Sequence, residues 1–497
     1  MKKRLLSLLL AAIMLASVAC SDTTSDDPVV TEDPAVDAAA AEAVETEAET
    51  EFLPDNLPAD FDFGASSVHT FGWEEVAITE FFTEELNGDV VNDAVFQRNQ
   101  TVEERLNVVL EYTLAPGNNA NHQAWANSVI NSTMAGDGAY DIVAGYSMAG
   151  TLLAYNRVLH NLAELPHLDF DMPWWPSSLM SEAVCGGKLY FCSGDISTNM
   201  ISMLYAMYFN KTVADNHALG SLYELVYEGT WTIDKMIELA SLCYVDANGD
   251  GTRDPMDHFG FITQPVYNDP FFFASGLSTT TFGDDGLPII SPEFSGEKTQ
   301  ALLTKMVEMY QQPGLYLAGY TMEGYDHARN AFMEDRALFF DTEISYATNY
   351  LRASEASYGI LPMPKYDEAQ EGYHTAMSFP YTLYGIPTDV KNPEMSAAVL
   401  ECLASESYRT VSPALFEVAL KVKFSSDDDA GKMYDIIRGS ANFDFGRLFC
   451  ANMGYLTYSL FRDAVVNGNT NWASTMKAQS KVLDKYLSKV VEALTAE

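Results

Sequence analysis

Positive charge is scarce in this chain: 28 Lys and Arg stand against 70 Asp and Glu, for a net charge of −42. A field of that sign disfavours nucleic acid and anionic lipid surfaces, so neither is expected as a partner; it identifies no ligand. Beyond the first twenty residues no run of 18 apolar residues occurs, so nothing else is expected to span a bilayer. Cysteine is sparse. Cys20, Cys185, Cys192, Cys243, Cys402 and Cys450 are the six, with no CxxC or Cys/His zinc spacing. With Cys20 modified an odd five remain, which argues against a full disulfide framework and for free, buried thiols. Gly186-Gly187 suggests a tight turn that would set Cys192 opposite about Ser181, away from Cys185. The eight His form no ligand spacing, and no nucleophile elbow, HExxH, P-loop or internal repeat is visible.

What is present begins at the N-terminus. Lys2, Lys3 and Arg4 precede an apolar run from Leu5 to Leu15, which closes on Ser17-Val18-Ala19-Cys20. This is the pattern of a secretory signal over residues 1–20, too short for a spanning helix. The cysteine after small residues resembles a bacterial lipobox, although Ser17 stands where Leu is usual. The expectation is lipidation at Cys20 and a cell-membrane location on the extracytoplasmic face; an incidental cysteine after an ordinary signal is the alternative. Residues 21–57 are rich in Asp, Glu, Ala, Thr, Val and Pro, so an acidic, disordered linker is expected there.

The remaining residues, roughly 435, exceed one core and suit two lobes. Apolar content of 47% is enough to build them. Val68 to Phe71 reads as a strand, Val90 to Leu106 as a helix, Val108 to Thr113 as a strand, Gln123 to Met134 as a helix, and Tyr140 to Gly145 as a buried strand. That rhythm predicts a parallel sheet with crossover helices, with ligand beyond the carboxyl ends of its strands. Further strands are expected at Met203–Phe209, Arg336–Asp341, Tyr358–Leu361 and Tyr381–Ile386. Thr232 is placed as the N-cap of a helix to about Leu242, and the C-terminal third reads as mainly helical.

Several segments in order carry a resemblance. They are Tyr140-Asp141-Ile142-Val143, Leu189-Tyr190-Phe191 before Ser193-Gly194-Asp195, Met207-Tyr208-Phe209-Asn210-Lys211, and Gly229-Thr230-Trp231-Thr232-Ile233-Asp234-Lys235. Phe332 to Leu338 and Tyr358 to Lys365 complete the set. With the lipobox-like Cys20, the chain resembles the family-1 extracellular solute-binding proteins of bacterial ABC importers, the maltose-binding-protein-like class. The resemblance implies an α/β, two-lobe periplasmic-binding-protein-like fold of type II, with discontinuous lobes joined by hinge strands. Mapped onto this chain, lobe one would be 60–194 and 342–375, and lobe two 198–338 and 387–497. Crossings would fall near Asp195, Phe340-Asp341 and Phe379 to Tyr384. It also implies a carbohydrate ligand, an ABC permease as partner, a membrane anchor through lipid, and a monomer.

A sugar needs flat aromatic platforms and groups that give and take paired hydrogen bonds. Trp73 and Glu74 follow the first strand, and Ser147 follows the third. Trp174 and Trp175 sit between two prolines, either as platforms or packed on the neighbouring hairpin. Asp195, Asp341 and Glu343 lie at expected crossings, with Tyr346 one turn on and Tyr205 and Tyr381 on hinge strands. Trp231 reads as core. The alternative for any one acid among 70 is a solvated surface charge.

A separate loop places oxygen donors Asp246, Asn248, Asp250, Thr252, Asp254 and Asp257 at positions 1, 3, 5, 7, 9 and 12, with Gly251 at position 6. It resembles an EF-hand-type calcium loop in which Asp257 replaces the usual Glu. The flanks are not two helices, since Phe259-Gly260-Phe261 reads as a strand. The expectation is structural Ca²⁺; the alternative is an acidic turn that binds nothing. For function, solute capture by hinge closure without catalysis is the leading reading. A two-carboxylate glycosidase, a binder of a non-sugar solute such as a peptide, and an adhesin are the alternatives.

Overall fold

The computed structural model describes residues 53–416 and 428–496. The expected signal, Cys20 and most of the linker lie outside the described residues, as do 417–427 and 497.

The strand–helix rhythm is present. Strand β1 (Ser66–Trp73) leads to helix α1 (Val90–Leu106), β2 (Val108–Ala115), α2 (His122–Ala135), β3 (Ile142–Tyr146) and α3 (Ser147–Tyr155). Asp89 caps α1 by accepting from the amides of Val91 and Asn92. Gly136 ends α2 at φ 70°, a left-handed conformation that glycine adopts freely. Farther on come β4 (Tyr205–Asn210), β5 (Phe259–Thr263), a hairpin of β6 (Thr280–Phe282) and β7 (Pro288–Ile290), and β8 (Leu315–Leu317). The chain then forms β9 (Ala337–Glu343), β10 (Tyr358–Leu361), β11 (Thr375–Ala376), β12 (Thr382–Gly385) and β13 (Ala441–Asn442).

Two sheets organise the strands, in the orders β12-β3-β1-β2 and β10-β4-β9-β5-β8. Each contains three parallel strands with the first of the three in the middle: β2-β1-β3 in one, β8-β5-β9 in the other. Each is extended by an antiparallel strand, β12 on β3 and β4 on β9. The topology thus repeats where the sequence does not. The apolar cores of the two sheets are continuous, and Leu53–Glu497 forms one compact unit.

The expected lobe boundaries shift in three places. Tyr358–Leu361, placed in lobe one, pairs with β4 in the second sheet. No crossing occurs at Phe340-Asp341, since β9 lies inside the second sheet along its whole length. The chain passes between sheets over Ser193–Leu204, where Cys192 lies opposite Tyr384 and not Ser181, and again between β10 and β12. The start of 387–497 belongs with the first half: Val411 and Ala414 bury against Val91, Ala94 and Val95 of α1. The linker also ends earlier than 57. Asp55 is buried, paired with Arg105 at 2.5 Å and Arg409 at 3.4 Å, and Leu57 is buried. Burial pushes the Asp55 carboxyl up, yet the hydrogen bonds from Arg105 and Ser405 hold it down at about 2. The five described cysteines are buried and free.

Trp174 and Trp175 are core residues. Both indole N–H groups donate to one buried carboxylate, Glu401, at 3.0 Å each. Burial raises Glu401 to about 7, and Glu182, also beside Asp444, to about 7. A carboxyl raised in the folded state binds its proton more tightly there than in the unfolded chain. Its contribution is fully present below about 4.5 and is lost as pH climbs through 7. Buried Glu80, Asp195 and Asp341 are raised as well, so they act with the same sign. His160 and His374, lowered by burial, act with the opposite sign, but the raised carboxyls outnumber them; the thermal midpoint should therefore be higher at pH 5 than at pH 7.5, with a smaller difference in Glu401→Gln. A midpoint that increases over this interval would contradict the assignment.

Candidate functional site

Parallel strands β5 and β9 finish side by side, with Ile262 opposite Phe340. The chain leaves β5 through Gln264 into a turn, Pro265–Asn268, and leaves β9 into a short helix, Ser345–Asn349. Beyond these two ends lies a cavity of about 360 Å³. Tyr267, Tyr325, Tyr346, Tyr350, Phe340 and Met322 give it aromatic and apolar walls; Gln264, Arg329, Thr342, Glu343, Ser345 and Asn349 give it polar ones. Its place past the carboxyl ends of parallel strands is where α/β folds hold ligands.

Glu343 is held from several directions. Its Oε2 accepts from Tyr267 Oη at 3.2 Å and Thr342 Oγ1 at 2.9 Å, and its Oε1 from Ser378 Oγ at 2.9 Å. Tyr205 in turn donates to Ser378 at 3.2 Å. Burial, and then the nearby Glu343 carboxylate, push the Tyr267 and Tyr205 hydroxyls up, so both stay protonated donors at neutral pH. Arg329 pairs with Asp326 and lies 4.1 Å over the ring of Tyr350. The Tyr346 hydroxyl donates to the Arg329 carbonyl at 3.2 Å. Such a site offers ring faces to C–H groups, and a carboxylate, a guanidinium and amides to hydroxyls.

Of the residues expected from sequence, Glu343 and Tyr346 line this cavity and Tyr205 stands behind Glu343. Asp341 does not join them: it is fully buried and accepts from Thr263. Trp73, expected as a platform, is 2% exposed; its N–H donates to Thr382 at 2.9 Å and its ring meets Tyr146 edge-on. A Cβ at Gly117 would come within 2.4 Å of the Trp73 Cβ, so the core is shaped around this indole. Trp174 and Trp175 are removed from the candidates by their burial on Glu401. Glu74 is exposed on the turn after β1. Ser147 and Tyr381 sit together elsewhere, near Arg447, where Ser147 donates to the Phe379 carbonyl at 2.6 Å. Asp195 borders a second, apolar cavity of about 130 Å³, accepting from Ser412 and from Arg438 at 3.0 Å.

Sequence reasoning missed Gln264, Tyr267, Tyr325, Arg329 and Tyr350. The strand-end rule would have reached Gln264 and Tyr267 had it been applied to β5, whose residues Phe259-Gly260-Phe261 were legible as a strand. Tyr325 and Arg329 come from the helix Met322–Met333, where nothing local marks the face turned to the cavity.

The acidic loop is tied at its base by the antiparallel pair Val245–His258. Its donors serve the loop itself: Asp246 accepts from the amides of Gly249 and Gly251, Asp250 from Thr252, and buried Asp257 from Ala247 and the Tyr244 hydroxyl. The oxygen chemistry suits a hard cation. Among the described residues, however, no group of three or more His, Cys, Asp or Glu is gathered as a metal site.

No protein-family model matches the sequence, and no curated protein is similar to it. Solved structures are similar in fold. The cyclic alpha-maltosyl-1,6-maltose binding protein of Arthrobacter globiformis matches with a TM-score of 0.58 at 12% identity, over 85% of this chain and 99% of that one. The maltose/maltodextrin-binding domain of Bdellovibrio bacteriovorus, bound to maltotriose, matches at 0.51 and 16% identity, over 84% and 99%. The GacH receptor of Streptomyces glaucescens, studied unliganded and with acarbose, matches at 0.51 and 13% identity, over 86% and 97%. At these identities the likeness establishes the fold: two α/β halves of the kind found in maltose-binding-type proteins.

Proposed function

We propose that the chain captures a carbohydrate outside the cytoplasm and delivers it to an ABC permease. One observation carries this reading: a tyrosine-lined cavity, with Glu343 oriented by three hydroxyls, lies past the ends of β5 and β9 in a fold shared with sugar-binding proteins. Closure of the halves around the guest is part of the proposal and requires the first half to add contacts to a cavity whose lining, Gln264 to Tyr350, belongs to the second. The glycosidase reading needs two carboxyls flanking one bond; among the described lining residues Glu343 is the single carboxylate. In a thermal-shift and calorimetric panel, maltotriose or a related sugar should raise the midpoint and release no reducing ends. Tyr350→Ala and Glu343→Gln should each weaken that affinity about tenfold or more, roughly 1.4 kcal/mol. Hydrolysis products, or unchanged affinity in both variants, would reverse the reading.

Anchoring through a lipid on Cys20 is part of the proposal and rests on Ser17-Val18-Ala19-Cys20 after an apolar run. The full chain should partition with membranes, and Cys20→Ser should move it to the soluble fraction; equal partitioning would exclude the anchor.

The loop Asp246–Asp257 is proposed to take Ca²⁺ as a structural ion by exchanging some of its amide contacts for the cation. EDTA should lower the thermal midpoint, calcium should restore it, and Asp250→Ala should abolish the response. A midpoint indifferent to EDTA would leave the loop as a self-bonded turn.

A further inference from the structure

We propose that the last helix, Trp472–Thr495, carries a lysine row that docks the chain's own acidic segment, Ser21–Glu51. The contact depends neither on the sugar reading nor on the lipid anchor.

Lys477, Lys481, Lys485 and Lys489 recur at every fourth position of this helix, and all four are exposed. At 1.5 Å per residue they form a row about 18 Å long, inclined to the helix axis. The other side of the helix is buried through Trp472, Met476, Leu483, Leu487, Val490 and Leu494. Among the described residues none of the four lysines has an ion pair or hydrogen bond. Other lysines of this acidic surface do find carboxylates: Lys235 pairs with Glu238 at 2.6 Å, Lys305 with Asp234 at 2.8 Å and Lys432 with Asp429 at 3.3 Å. Asp484 and Glu492 stand on the same helix and pair with none of the four. Helix stability does not account for the row. Like charges four residues apart repel, and the macrodipole favours cations only in the last turn.

The acidic segment complements it. Ser21–Glu51 holds eleven acids in 31 residues, with no Lys or Arg. The chain after it holds 59 acids against 25 basic residues, so the body as a whole repels the segment. The row is a local exception, and at contact distance local charges outweigh those beyond a Debye length of about 10 Å. The described residues begin at Leu53, so the segment is joined directly to the body. Extended, it reaches about 100 Å, against a radius of gyration of about 22 Å for a body of this size. Attachment also gives it a high effective concentration at the row. A flat anionic lipid surface has the same sign of charge, but it would have to approach the whole acidic body, whereas a single strand approaches the row alone. With Cys20 as the anchor, docking would also fix which face of the body the membrane meets.

Carbodiimide joins a lysine amine to a carboxylate in direct contact, and it tests the proposal on the Cys20→Ser chain, which keeps the whole acidic segment. At about 20 mM NaCl, peptides from Asp22–Glu51 should be linked within one chain to Lys477, Lys481, Lys485 and Lys489, and the links should fade at about 0.5 M NaCl. Absence of these links, or links spread equally over other exposed lysines such as Lys391 and Lys432, would overturn the proposal. Links found in covalent dimers alone would assign the row to a second copy and overturn it as well. Phosphatidylglycerol vesicles separate the lipid source, with a chain combining Lys477→Gln, Lys481→Gln, Lys485→Gln and Lys489→Gln as control. Links that persist beside the vesicles support the segment. Vesicles that abolish the links, and sediment the parent but not the combined variant, make the occupant a lipid surface and overturn the proposal.

Discussion

The antiparallel ladder between β4 and β9 is the constraint on which the site depends. Five positions pair along it, from Phe209 opposite Phe339 to Tyr205 opposite Glu343. The ladder fixes where the chain enters the second sheet and, at its far end, where Glu343 emerges. Strand side chains alternate, so a slip of one residue would turn Glu343 to the other face and Thr342 in its place. The returning crossing brings Ser378 onto the same carboxylate before β12 rejoins the first sheet against β3. Glu343 is thus gripped by its own strand, by the turn after β5 and by a segment that leaves for the other half. A carboxylate held this way is preorganised, which reduces what ligand binding must spend on ordering it.

Five of the 28 basic residues are arginines that join distant segments. Arg98 is buried and donates to the carbonyls of Glu80 and Phe81 and to Ser407. Arg105 and Arg409 both reach Asp55, while Arg447 and Arg462 converge on Asp269. Arginine suits this use because its planar fork binds a carboxylate or several carbonyls at once and keeps its charge when buried. Removing one partner would leave a buried charge alone, which costs more than the pair contributes.

Local signals in the sequence were strong where structure is local. The helix Val90–Leu106 has the expected bounds, Thr232 caps its helix by accepting from the Lys235 amide, and Trp231 is buried. Glu343 and Tyr346 were expected for a crossing at Phe340-Asp341 that does not occur; they reach the cavity because β9 ends at Glu343 and the helix Ser345–Asn349 follows it. Pairing partners were not visible: nothing within Tyr358–Leu361 tells whether it joins β4 or the first sheet. Trp73 shows the same limit, since a strand end can turn its last side chain to a cleft or to the core. Here the closeness of Gly117 decides for the core, and that contact spans residues far apart in the chain. Tyr325 and Arg329 reach the cavity only through the packing of their helix.

The central claim is that a solute occupies the space past β5 and β9. Hydrogen–deuterium exchange, read peptide by peptide with and without maltotriose, tests it most directly. The account predicts added protection concentrated in Gln264–Asn268 and Thr342–Tyr350. Protection confined to the segments around Asp195 and Arg438, or none at any concentration, would contradict it.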